Sequence, residues 1–208
     1  MRAGNETLQY SFTGGADGGY PLAGVVRDAN GNLYETTNGG GASGAGVVFK
    51  IDASGNETVL YSFTGGVDGG YPVAGVIRDA KGNLYGTTNG GGASGAGVVF
   101  KIDTSGNETA LYSFTGGADG GYPLWVTLAR DSAGNLFGTT QAGGTDGAGV
   151  VFKVDTAGNE TVLYSFTGGA DGRYPFAGVI LGPEGNLYGT IAFGGQSNVG
   201  VVFEIKLN

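Results

Sequence analysis

Short runs of β-branched and aromatic residues, each bounded by Gly, Asn or Asp, recur along the whole chain. In one stretch they read PVAGVIRD (Pro72–Asp79), NLYGTT (Asn83–Thr88), GVVFKID (Gly97–Asp103) and ETALYSF (Glu108–Phe114), the composition and length of strands rather than helices. Within the third run Val98, Phe100 and Ile102 alternate with Val99, Lys101 and Asp103. That two-residue period leaves one face wholly apolar and the other partly so, as in a sheet covered on both sides. No segment keeps a 3.6-residue period long enough for a helix, and the density of glycine works against one. Four strands per unit are predicted.

The unit repeats. GNET stands at Gly4, Gly55, Gly106 and Gly158, spacings of 51, 51 and 52 residues, which divides one domain (1–208) into repeats at approximately 4–54, 55–105, 106–157 and 158–208. Two connections in each repeat are tight turns of the Asp28–Asn32 and Asp52–Glu57 kind, carrying Asn-Gly or Ser-Gly. The other two are long and glycine-rich, TNGGGASGAG (37–46) and TGGADGGYP (13–21). With four antiparallel strands in chain order, the short turns collect at one end and the long loops at the other. A four-stranded antiparallel unit repeated about an axis is a propeller blade. The expectation is therefore an all-β, four-bladed β-propeller, with the first strand of each blade innermost. Its ring is closed by pairing Asn5–Thr13, which reads as a lone fourth strand, with the last strand, Gly200–Asn208. The alternative is half of an eight-bladed propeller completed by homodimerisation, so the chain is expected as a monomer or a homodimer.

The pattern GNLYGTT..GG....G.VFK at Gly82–Lys101, nearly repeated at Gly31–Lys50 and Gly134–Lys153, resembles the GloVer-type tandem repeat of anchored bacterial surface proteins. The resemblance covers all four repeats and implies export and display outside the cell or on its surface. The opening MRAGNETLQYSF has no apolar stretch of the signal-peptide kind.

Composition narrows the chemistry. Eighteen acidic against ten basic residues give a net charge of −8 and a pI near 4.3, which disfavours nucleic acid and anionic lipid as partners. No run is long and apolar enough for a membrane helix. The chain has no Cys and no His, so thiol nucleophiles, thiolate metal sites and the usual neutral-pH general base are all missing.

Binding chemistry is best sought at the long-loop end, where GGADGGYP and its copies place Asp17, Asp68, Asp119 and Asp171 beside Tyr20, Tyr71, Tyr122 and Tyr174. The tyrosines offer aromatic faces to a sugar in several equivalent pockets; packing between blades is the plainer role. A ring of the four carboxylates could take a hard cation such as Ca²⁺, against which stands ordinary Asp capping of glycine turns and the lack of EF-hand spacing. Asn5, Asn56, Asn107 and Asn159 match the N-glycosylation acceptor but lie in turns that want Gly-Asn anyway. Catalysis on a symmetric scaffold would sit where the repeats differ, at Glu35, Trp125, Asp146 or Arg173, and no catalytic residue is assigned. The function expected is a non-catalytic binding or display module with no cofactor, taken from a bacterial surface protein or built from such repeats, with glycans or another surface protein as partner. A lectin with equivalent sites between blades is the alternative, and a carbohydrate-active hydrolase or lyase the third reading.

Overall fold

The computed structural model describes residues 4–207, among which there are strands and no helix. The first blade is β1 (Val26–Arg27), β2 (Leu33–Thr37), β3 (Val47–Ile51) and β4 (Glu57–Ser62). The second is β5 (Ile77–Arg78), β6 (Leu84–Thr88), β7 (Val98–Ile102) and β8 (Glu108–Ser113). The third is β9 (Ala129–Arg130), β10 (Leu136–Thr140), β11 (Val150–Val154) and β12 (Glu160–Ser165), and the fourth is β13 (Ile180–Leu181), β14 (Leu187–Ile191) and β15 (Val201–Ile205). Strands pair antiparallel in chain order within each sheet. The all-β, four-bladed, propeller-like architecture expected from the repeat is present.

The tight turns are made by aspartate. Asp52 Oδ1 accepts from the backbone N–H of Ser54 and Asn56, and Oδ2 accepts from Asn56 Nδ2 at 2.9 Å. Such a turn satisfies local backbone donors with a side chain. Asn56, Asn107 and Asn159 of the glycosylation-like triplets all serve their turns in this way.

Apolar cores lie between blades. Val48, Ala45 and Phe63 of the first blade pack with Val98, Phe100 and Ile102 of the second, and the pattern recurs at the next two junctions. Phe63 sets its ring edge-on to Phe100 at a centroid distance of 5.1 Å, as Phe114 does to Phe152, and Phe166 to Phe203 at 5.3 Å. This geometry suits the aromatic quadrupole. The glycine of NLYGTT makes room for it, since a Cβ on Gly86 would lie 2.6 Å from Phe100 Cζ, and Gly138 and Gly189 are placed in the same way. A hydrogen bond ties each junction as well: Thr36, Thr87 and Thr139 donate their hydroxyls to the carbonyls of Ala74, Val126 and Ala177 on the next blade.

The pairing of terminal strands is not formed. The fourth sheet has three strands, and residues 5–13 carry no strand. Phe12 nevertheless packs edge-on against Phe49 at 4.9 Å, and Tyr10 joins the same cluster on the first blade, in the manner of Phe63 on Phe100. The edge of β15 is open, and no core cluster joins the fourth blade to the first among the described residues. The four blades form an open arc.

Truncating Phe100 to Ala should destabilise the chain by about 3–5 kcal/mol in urea unfolding. Gly86→Ala, which adds one methyl against that ring, should cost about 1–3 kcal/mol.

Candidate functional site

At the long-loop end each candidate aspartate is occupied with its own loop. Asp68 Oδ2 accepts from Tyr61 Oη at 3.0 Å and from Thr64 N at 2.8 Å, while Oδ1 accepts from the Thr64 hydroxyl. Asp17, Asp119 and Asp171 repeat the arrangement with Tyr10, Tyr112 and Tyr164. Burial works to raise the Asp68 carboxyl, but the bonds from Thr64 and Tyr61 outweigh it and hold the group below the usual range. The phenol of Tyr61 is pushed up, by burial first and then by Asp68. Four loop staples result rather than one ring: among the described residues no three Asp or Glu come together to hold a metal ion.

The candidate tyrosines are placed differently. Tyr20, Tyr71, Tyr122 and Tyr174 all have left-handed backbone, with φ between 56° and 61°, a conformation that costs a residue with a side chain about 1–2 kcal/mol. At Tyr71 and Tyr122 backbone bonds to two blades accompany it, and at Tyr174 a bond to the preceding blade. Tyr71 N donates to Ala45 O of the preceding blade at 2.8 Å, and Tyr71 O accepts from Asn89 N of its own blade. Turned outward by this geometry, the four side chains are 41–74% exposed.

One departure from symmetry sits at the hub. Trp125 lies in the segment with an extra residue, also has positive φ (61°), and is about half exposed. With Arg130, Leu128, Gly178, Ile180 and Leu181 it lines an open groove of about 570 Å³ between β9 and β13. The extra residue lies in the non-strand segment that leads into β9, and the indole is carried there.

Glu35 occupies the position that is glycine in the other three blades. It is 2% exposed, and its Oε1 accepts from Ala23 N at 2.8 Å. Burial pushes its carboxyl up to about 7, with the Ala23 bond pulling the other way. Asp146 is exposed in a loop of the third blade, so it and Glu35 serve different surroundings.

A further repeated feature has no signal in the sequence. Oε1 of Glu57, Glu108 and Glu160 is buried without a hydrogen-bond partner. Burial, then the nearby charges of Asp68 and Asp119, lift Glu108 and Glu160 to about 7. In the sequence these glutamates look like ordinary strand residues of NET, and only the folded structure buries an oxygen of each.

Residues 124–208 match the sequence model of the Gloeobacter/Verrucomicrobia repeat. Over those residues the match agrees with the resemblance seen in the sequence. The matched residues include every strand of the third and fourth blades, so the similarity to that repeat falls on propeller-blade sequence. No curated protein matches the chain. Among solved structures it is similar to a putative gluconolactonase (TM-score 0.50, 16% identity, 88% of this chain and 57% of that one). It is also similar to a gluconolactonase from Xanthomonas campestris (TM-score 0.51, 15% identity, 86% and 60%). The chain thus spans less than two thirds of either protein, and identities this low speak for the fold alone.

The carboxyl groups set opposite pH limits on stability. Asp68 and its equivalents, lowered from 3.8, stabilise the fold above that pH, and the contribution is lost as pH falls through the folded value. Glu35, Glu108 and Glu160, raised from 4.5 to about 7, contribute fully below 4.5 and lose that contribution as pH rises through about 7. Urea midpoints should therefore peak between about pH 4 and 5. Glu35→Gln should flatten the decline toward pH 8 by about 1–3 kcal/mol, and an unchanged slope in that variant would show that Glu35 titrates normally.

Proposed function

We propose that the chain is a non-catalytic binding or display module that presents tyrosine faces at its glycine-loop end, in keeping with surface display of the parent protein. The observation that carries this reading is the repeated strain: four tyrosines in left-handed backbone, each leaving its ring exposed when glycine would fit the same φ without cost. Exposed aromatic rings spaced by a repeat favour a ligand that offers flat apolar faces and repeats itself, and a glycan chain has both properties. Weak contacts at single tyrosines would add through multivalency. The names of the gluconolactonase neighbours raise the enzyme reading, but at 15–16% identity only the fold is in common.

The test pairs stability with binding. Tyr71→Gly should change stability by less than about 1 kcal/mol, because relief of strain offsets the lost side chain and the gained chain entropy. Replacing Tyr20, Tyr71, Tyr122 and Tyr174 together should abolish binding on a glycan array through loss of avidity. A wild-type chain that retains no glycan, or a fourfold variant that binds as before, would remove the tyrosine reading. Hydrolysis of a sugar lactone by the wild type would favour an enzyme.

A further inference from the structure

The two ends of the arc differ from the inner junctions in a way that defines a partner. Val202 is 81% exposed and Val199 82%, whereas Val48, Val99 and Val151, at the position of Val202, are 0% exposed against the following blade. Val199 likewise replaces alanines that are buried at every inner junction. Thr190, equivalent to the hydroxyls that reach across each junction, is exposed. At the other end, Leu22 and Val25 of the first blade are half exposed, where Val73 and Val76 of the second are buried.

Unmet backbone groups match across these ends. Tyr71, Tyr122 and Tyr174 each donate an N–H to an alanine carbonyl of the preceding blade. The N–H of Tyr20 has no such bond among the described residues, and the corresponding carbonyl on the fourth blade is that of Val199.

Side-chain pairs give a second, independent match. Arg78 lies over the ring of Tyr34, and Arg130 over that of Tyr85, at 5.7 and 5.5 Å, each cation belonging to the next blade. At the third junction both partners change together, to Phe137 and Leu181, which pack in one apolar cluster. The fourth blade returns to tyrosine at Tyr188, and the first blade keeps arginine at Arg27. Tyr188 and Arg27 are the unmatched halves of one more junction of the cation–π type.

A strand slot completes the picture. Beside the open edge of β15 lies a groove of about 260 Å³ lined by Tyr164, Phe166, Asp171, Val202, Phe203 and Glu204. In the other blades this place is filled by the outer strand, whose sequence ETVLYS or ETALYS is mirrored by ETLQYS at residues 6–11.

We propose that the fourth blade of one copy receives the first blade of a second copy, head to tail, with residues 6–11 of the second copy added as the outer strand along β15. By the register of the inner blades, Phe203 faces Leu8, and Val202 faces Tyr10. Thr190 then donates to Ala23 O of the second copy, Val199 O accepts from its Tyr20 N–H, and its Arg27 covers Tyr188. Such an interface is heterologous, and two copies joined at both ends form a ring without free edges.

Light scattering after size exclusion should give about twice 20.7 kDa for the wild type. Val202→Asp and Leu8→Asp, both at exposed positions of the isolated arc, should each give a monomer with an unchanged circular-dichroism spectrum. Mixing the two variants should restore a dimer, because one unmodified end from each copy can still meet. A monomeric wild type, persistence of the dimer in either variant, or failure of the mixture to reassociate would each overturn the head-to-tail interface.

Discussion

The blade-to-blade contact, a phenylalanine at the end of one outer strand set edge-on against a phenylalanine in the third strand of the next blade, is the interaction on which the rest of the molecule depends. No single sheet here could be stable alone, for each has two partly apolar faces and only short strands. Stacking supplies the missing cover. Once the rings are placed, the glycine of NLYGTT follows from lack of space for a Cβ, and the threonine after it is positioned to hydrogen-bond the next blade. The recurring NLYGTT pattern is the record of a contact made at junction after junction with equivalent neighbours.

The same constraint orders the polar groups. Aspartates that read as a possible cation ring are consumed by tyrosine and threonine donors of their own loops. The glutamates of NET, unremarkable in sequence, each carry one buried, unpaired oxygen, and burial makes Glu108 and Glu160 hard to ionise. Acid-labile loop staples and alkali-labile interface carboxyls therefore coexist in one small domain, and their opposing titrations place the most stable pH well below neutrality.

Tyrosine at the left-handed position stands apart from this economy of packing. At Tyr71, Tyr122 and Tyr174 the backbone is bonded to the preceding blade, and at all four tyrosines the ring is left outside. The fold dictates the conformation but gives the side chain little to do, which is why these rings carry the functional reading while the aspartates beside them do not.

Strand count, turn chemistry, the four-part repeat and the segregation of long loops to one end were legible in the sequence, because alternation of apolar residues and Asn-Gly turn signals are local properties that each segment carries by itself. The placement of Tyr20, Tyr71, Tyr122 and Tyr174 among the loops was legible for the same reason. What Asp17, Asp68, Asp119 and Asp171 do was not, since their donors are chosen by loop geometry. Nor could the sequence say where residues 5–13 lie: ETLQYS has the character of an outer strand in any position, and it is the tertiary structure that seats Phe12 on Phe49 and leaves β15 open. Local pattern determines which surfaces are made to be covered; which neighbour covers them is decided only when the curvature of the stacked blades brings particular faces together.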